Sequence, residues 1–344
     1  MTKRVLITGG LGFIGSHTVE HYLATTDWDI VVIDALRHAG RVERVTEMQN
    51  YDPARVTLLW HDLRAPLHDM LRDNIGPVNY IVNMASDSHV DRSISDPVDF
   101  VQNNISLALH MLEFARGGGG GGHHLEKFIQ VSTDEVYGPA AAGHSHKEGE
   151  PFAPSNPYAA SKAAQEMIAF SYWRSFAVPL IITNTMNNFG ERQDMEKFVP
   201  MTIRKIMNRE TNIIHGRKIN DQWESGSRVW LHARNHADAV KFILENCPVI
   251  NYSGENQVTQ PLRFNVAGDR EISNLEIVRM IGDIMGVAPK IKFVDFHSSR
   301  PGHDLRYSLD GAALREAGWV MPVSTESSFE RMVKWMLDNP AWLK

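Results

Sequence analysis

The chain has 344 residues, 43% hydrophobic and 22% charged, which is enough to bury one large core or two of ordinary size. A formal net charge of −6, with no long Lys/Arg block, argues against a nucleic-acid-binding surface. Cys247 is the single cysteine, and no apolar run reaches the length of a signal peptide or a membrane span, so a cytoplasmic protein is expected.

From the N-terminus, short apolar runs at 5–7, 30–33, 56–59, 80–84, 128–131 and 180–183 read as buried strands. The stretches between them are long enough for helices. This alternation predicts an α/β fold, a Rossmann-type doubly wound parallel sheet. Beyond about residue 186 the pattern loosens, which predicts a smaller C-terminal substrate-binding domain. The expected division is 1–186, with 229–262 returning to it, against 187–228 and 263–344. The six glycines at 117–122 read as a surface loop, and no internal repeat is present.

The first strand runs into Thr8-Gly9-Gly10-Leu11-Gly12-Phe13-Ile14-Gly15, and Ile14, Val19, Tyr22 and Leu23 then predict a helix. In this strand–turn–helix setting, Gly9, Gly12 and Gly15 suit a tight turn, backbone approach to a pyrophosphate, and close helix packing. The turn as a whole, Phe13 and Ile14 included, is a candidate dinucleotide site. Asp34, ending the second strand, can bind a ribose 2′-hydroxyl and repel a 2′-phosphate, which favours NAD over NADP. After the third strand, Asp62 and Leu63 could reach the adenine, although an Asp there is also a common helix cap.

Ser132-Thr133-Asp134-Glu135 closes the strand at 128–131. Tyr158-Ala-Ala-Ser-Lys162 follows on a predicted helix, begun by Asn156 as N-cap and Pro157 at the first helical position. Spacing of four puts Tyr158 and Lys162 on one helix face. Lys162 is expected to lower the Tyr158 pKa and to hold a nicotinamide ribose, leaving Tyr158 poised as a base. Hydride transfer needs only Thr133, Tyr158 and Lys162. The neighbouring carboxyls of Asp134 and Glu135 could add an acid and a base for proton chemistry at adjacent carbons. Against this, Ser-x-x-Glu is also the pattern of a helix capping box.

These motifs, together with Ser88-His-Val-Asp-Arg-Ser-Ile94, Asn187-Asn-Phe-Gly190, Glu196-Lys-Phe-Val-Pro200 and Arg300-Pro-Gly-His-Asp304, carry a resemblance. The chain resembles the extended short-chain dehydrogenase/reductases, and within them the dTDP-glucose 4,6-dehydratases. The resemblance implies bound NAD, a nucleotide-diphosphate sugar as substrate with dTDP-glucose first among them, and a homodimer. It implies that Thr133 and Tyr158 handle the 4-hydroxyl, Asp134 protonates the departing 6-hydroxyl, and Glu135 takes the C5 proton. It also implies substrate contacts from Ser88, Asn187, Glu196, Lys197, Arg228 and Arg300, the two arginines serving as forks for diphosphate oxygens.

The chain departs from the family pattern at His215, at Val229, and in a stretch from 216 to 228 that is about six residues longer than usual. All three border the nucleotide in the family, so the preferred base is left open. A 4-epimerase or dehydrogenase on the same scaffold is the nearest alternative, and Asp134 and Glu135 speak against it. A non-catalytic nucleotide-sugar-binding protein is a further alternative, weakened by Thr133, Tyr158 and Lys162 occurring together. His123-His124 and His144-x-His146 lie in Gly/Ala-rich sequence without a nearby cysteine, so no metal site is expected.

Overall fold

A computed structural model describes residues 2–119, 125–252, 258–296 and 304–344. Six strands follow the expected apolar runs: β1 (Arg4–Thr8), β2 (Asp29–Asp34), β3 (Val56–Trp60), β4 (Tyr80–Asn83), β5 (Lys127–Thr133) and β6 (Leu180–Thr185). Helices α1 (Phe13–Thr25), α2 (Glu43–Thr46), α3 (Asp69–Ile75), α4 (Val90–Ser95), α5 (Pro97–Arg116) and α6 (Pro157–Phe176) lie between them. Seven parallel strands form one sheet in the order β3-β2-β1-β4-β5-β6, with Leu262–Val266 at the far edge beside β6.

Strand alternation sends Val5 and Ile7 to one face and Leu6 to the other, and each face has its own apolar layer. Val5, Ile7, Val32 and Ile129 pack with Val19 and Leu23 of α1 and with Val240 and Ile243 of the helix Ala233–Asn246. Leu6, Val31, Ile81 and Phe128 pack with Leu71 of α3, Met111 of α5 and Trp173 of α6. This is the doubly wound arrangement. The helix Ala233–Asn246 thus packs on the large sheet, and the strand Leu262–Val266 forms its edge.

A third apolar cluster is built from Phe189, Val199, Ile203, Trp230, Ile277, Phe329 and Met332. Phe189 and Phe329 stack there with centroids 3.9 Å apart. The long stretch after Gly216 is a β-hairpin: Thr211–Ile219 pairs antiparallel with Gln222–Ser225 and parallel with Lys290–Asp295. Its turn residues Asn220 and Asp221 have φ of 47° and 63°, as a tight two-residue hairpin turn requires. His215 lies in this sheet opposite Val294, and Trp223 stacks on Phe293.

Strand order reverses direction between β1 and β4, so a crevice opens beyond their carboxyl ends. At the opposite end of the sheet, before the amino ends of β4 and β5, part of the glycine run forms the turn that follows α5, with Val78 donating to the Gly119 carbonyl. The rest of that run and His123-His124 lie outside the described residues.

Candidate active site

The crevice is a cleft of about 930 Å³, near the upper end of ordinary small-molecule sites. Gly9, Gly12, Phe13, Ile14, Gly15, Asp34, Asp62 and Leu63 line one part of it. Ser88, Thr133, Asp134, Glu135, Tyr158, Lys162, Asn187, Glu196 and Lys197 line the rest. Residues spread over almost two hundred positions of chain thus meet in one space. Arg228 is not on that lining, and Arg300 lies outside the described residues.

The glycine turn is shaped for close approach. Gly9 has φ of +70°, and a Cβ on Gly15 would lie 2.2 Å from the Gly9 carbonyl oxygen. Gly12 caps α1 without a side chain over the helix end, leaving that N-terminus facing the cleft. Asp34 binds the turn to the following loop: Oδ2 accepts from Leu11 N at 3.0 Å and Oδ1 from Leu36 N at 2.9 Å. Burial raises its pKa despite those bonds. A dinucleotide fits this donor set, with its phosphates at the helix end and a ribose at Asp34.

Asp62 is partly committed to a neighbour, since Arg64 donates Nε to Oδ2 at 2.9 Å. That bond is the first cause of its lowered pKa. Leu63 is buried, and its carbonyl accepts from His110 at 2.7 Å.

The Ser132-to-Glu135 segment does not form a capping box. Thr133, not Ser132, caps a single 3-10 turn over Asp134–Tyr137, and the Glu135 carboxylate turns away to accept from Asn156 Nδ2 at 3.0 Å. The pattern does produce a capping box elsewhere, at Ser273 and Glu276. Thr133 Oγ1 donates to Asp134 Oδ1 at 2.9 Å, while Asp134 Oδ2 is buried without a hydrogen-bond partner among the described residues. Burial, and then the charge of Glu135, push Asp134 well above the usual carboxylate range. Burial also raises Glu135, opposed by the Asn156 hydrogen bond and by Arg228. One carboxyl holding a proton beside one that can accept it is the pairing that acid–base work at adjacent atoms requires.

The helix α6 starts as its sequence predicts. Asn156 Oδ1 accepts from Ala159 N at 2.9 Å, with Pro157 at the first turn. Tyr158 and Lys162 lie one turn apart on the cleft side. The electrostatics differ from expectation. Lys162 Nζ donates to the Val131 carbonyl and to Gln165 Oε1, both at 2.7 Å, and burial brings its pKa down to about 8. The Tyr158 phenol is pushed up by burial and then by Glu135, with only the Thr133 hydrogen bond lowering it. The Lys162 ammonium is turned onto the strand carbonyl and the Gln165 amide.

Arg228 is likewise committed. Its guanidinium donates to the carbonyls of Ser227 and Leu305 at 2.7 Å and of Asp304 at 2.8 Å, and it lies over the Tyr307 ring at 4.5 Å. It clamps the strand Ser227–Val229 to the chain after 304 rather than offering an open fork. Its charge still reaches Asp134 and Glu135 and lowers both. Glu196 faces His38 at 3.2 Å and, more distantly, His89 and Arg92, each at 3.8 Å. Asn187 Oδ1 is buried and unpartnered among the described residues, and Lys197 is lowered by burial.

Sequence reasoning missed His38, His89 and Arg92 around Glu196, and it treated Asn156 as a cap alone. The partners of Glu196 come from the loop after β2 and from the start of α4, more than a hundred residues away, so no local spacing pairs them with it. Asn156 was legible as a cap, but the second use of its amide depends on the turn at 134–137.

With that geometry in hand, the sequence matches the family described as GDP-mannose 4,6 dehydratase over residues 6–336. The chain belongs to this family, within the extended short-chain dehydrogenase/reductases. It is 33% identical to a dTDP-glucose 4,6-dehydratase of Neisseria meningitidis, covering 99% of this chain and 95% of that protein. A dTDP-glucose 4,6-dehydratase from Streptomyces venezuelae, solved with NAD bound, superposes with a TM-score of 0.83 at 31% identity, covering 99% of this chain and 100% of the other. A UDP-glucose 4-epimerase from Thermus thermophilus, also solved with NAD, reaches a TM-score of 0.80 at 26% identity, covering 97% and 99% of the two chains. The backbone alone therefore does not separate 4,6-dehydratases from 4-epimerases. The side chains in the cleft must do so.

Proposed function

We infer that this chain converts dTDP-glucose to dTDP-4-keto-6-deoxyglucose with NAD as its cofactor. The observation that carries the reading is the buried Asp134–Glu135 pair beside Thr133 and Tyr158, in the same cleft as the glycine turn. Full-length identity of 33% to a protein named for this reaction supports the substrate.

Gly9, Gly12, Phe13, Ile14, Gly15, Asp34, Asp62 and Leu63 would hold the dinucleotide, and Lys162 its nicotinamide ribose. Bound there, NAD supplies a reversible hydride acceptor, which makes the overall reaction redox-neutral. Thr133 and Tyr158 handle the 4-hydroxyl. Because burial and Glu135 raise the Tyr158 phenol, its service as the base requires Lys162 to leave the Val131 carbonyl and turn towards it on binding. Oxidation at C4 acidifies the C5 proton, so the Glu135 carboxylate suffices as its base. Asp134, kept protonated by burial and by its neighbour, donates to the departing 6-hydroxyl. Ser88, Asn187, Glu196 and Lys197 line the sugar side, with Arg228 setting the field on the carboxyl pair and Arg300 assigned to the diphosphate.

In domain terms, 1–186 together with the helix Ala233–Asn246 and the strand Leu262–Val266 bind the dinucleotide, and the remainder binds the nucleotide sugar. Exposed apolar Val98 and Leu109 on α5, and Met167 and Phe176 on α6, support a homodimer through those helices. A cytoplasmic location accords with the one free, buried cysteine. Among the described residues, no helix is long and apolar enough to cross a membrane.

Incubation with dTDP-glucose tests the reading. A 4-keto product absorbing in alkali, with no net NADH, is the expected result. Accumulating NADH indicates a dehydrogenase, dTDP-galactose an epimerase, and no conversion a binding protein. Comparing kcat/KM across dTDP-, UDP-, CDP- and GDP-glucose then reports whether His215 and the hairpin after it alter base preference.

A further inference from the structure

We propose that His144, His146 and Glu150 form a site for a borderline divalent cation such as Zn2+, on the loop between the carboxyl pair and α6. Glu150 Oε2 lies 3.1 Å from His144 Nε2 and 2.6 Å from His146 Nδ1. All three ligand atoms fall within 4.8 Å of one another. A tetrahedral zinc ion with bonds near 2.1 Å wants its ligands roughly 3.4 Å apart, so only small side-chain shifts separate this arrangement from a coordinated one. Two imidazoles and one carboxylate are a donor set that suits zinc over the harder calcium or magnesium.

The three side chains are held in place by contacts that coordination would not disturb. Glu150 Oε1 accepts from Lys147 N at 2.9 Å, which fixes the carboxylate and turns Oε2 to the rings. The His146 ring stacks on Tyr137 with centroids 5.3 Å apart and planes 14° from parallel. Its backbone N–H donates to the Ser308 carbonyl at 2.9 Å, and its own carbonyl accepts from Asp310 N at the same distance. The His144 side chain is 47% exposed, and it lines a surface recess with Glu150, so water can complete the shell. Such prior support of ligands is what distinguishes a site from a chance cluster.

The sequence shows only His-x-His in a loop. The turn at 147–150 adds the third ligand by folding Glu150 back over both rings. Tyr137 follows Glu135 by two residues, and Arg228 clamps Leu305, so an ion here would rigidify the wall behind the acid–base pair. The site would be structural. It stands apart from the proposed dehydratase reaction, and its test does not depend on turnover.

The experiment uses the full-length chain after chelation and exchange. Calorimetry with Zn2+ should give one saturable site per chain, and Co2+ should give the visible bands of a low-coordinate nitrogen–oxygen site. Glu150→Gln keeps the shape of the side chain and removes its charge, and His144→Gln changes an exposed ring. Each should weaken Zn2+ at least tenfold, while melting in chelator matches the unmodified chain. Absence of saturable uptake by the unmodified chain overturns the proposal. So does uptake that both variants retain, which would mean adventitious binding at other histidines.

Discussion

Asp134 and Glu191 are buried to the same extent, each 3% exposed, yet their surroundings drive them in opposite directions. Asp134 has a neutral hydroxyl on one oxygen and no described partner on the other, and its nearest charge is another carboxylate. Its pKa rises. Glu191 lies 3.0 Å from His232 Nε2 and 2.9 Å from Arg331 Nε, beside His17, and its pKa falls well below the ordinary value despite the cost of burial. Burial alone therefore does not decide the charge of a carboxyl; the groups facing it do. One carboxyl is arranged to exchange protons, whereas the other ties α1 to the C-terminal helix Thr325–Asp338.

The largest expected effect is on the reactive side of that contrast. Asp134→Asn and Glu135→Gln keep shape and burial, so each should lower kcat about a hundred- to ten-thousand-fold while thermal melting stays level or rises. Glu135→Gln should still reduce NAD on mixing with substrate, yet exchange no C5 proton with deuterated water. Near-normal turnover in either variant would remove that residue from the mechanism.

Glu191→Gln should do the reverse. The His232 pKa is itself lowered by burial and Arg331 is 59% exposed, so what is lost is hydrogen bonding to a charged group, about 1.5–3 kcal/mol. Urea unfolding should shift accordingly, and any loss of kcat should track the fraction unfolded. A variant as stable as the parent would show that His232 and Arg331 are not effective partners.

Acid should sharpen the comparison further. Burial lowers the buried imidazoles of His236, to about 4, and His17, to about 3, from 6.5. Below pH 6.5 the unfolded chain takes up these protons before the folded one does. Stability is therefore full above that pH and drains as pH falls towards the folded values, by about 1.4 kcal/mol per unit for each such proton. Glu191, lowered from 4.5, adds a loss at more acid pH. Asp134, raised from 3.8, acts with the opposite sign: its contribution is complete below 3.8 and lost as pH rises. Urea melts at pH 7 and pH 5 should show the net fall, with a shallower slope in His236→Gln. Equal stability at the two pH values would contradict the neutral burial of these histidines.

The smallest expected effect concerns Asn156, the neutral partner of Glu135. Asn156→Ala removes the α6 cap, for about 1 kcal/mol of stability. It also removes the bond that lowers Glu135, so the acid limb of the kcat profile should move to higher pH. A profile that does not move would mean that the Asn156 contact is structural only.

Sequence by itself determined six strands of the sheet, the glycine turn and the start of α6. The six apolar runs became β1 to β6 because each is long enough only for a strand and carries apolar residues on both faces. Gly9 and Gly15 could be read because the turn leaves no room for a Cβ, and Asn156-Pro157 because helix starts have local chemistry. Tertiary structure decided the rest. The edge strand Leu262–Val266 pairs with β6 across about eighty residues, and the strand that leads into the hairpin after Gly216 is placed by parallel pairing of residues 211–216 with Lys290–Asp295. The directions in which Lys162 and Arg228 point, and hence which groups they influence, depend on carbonyls brought in from β5 and from residues 304–305. Residue type and local spacing are written along the chain. The field at a buried charge sums over neighbours that only folding assembles.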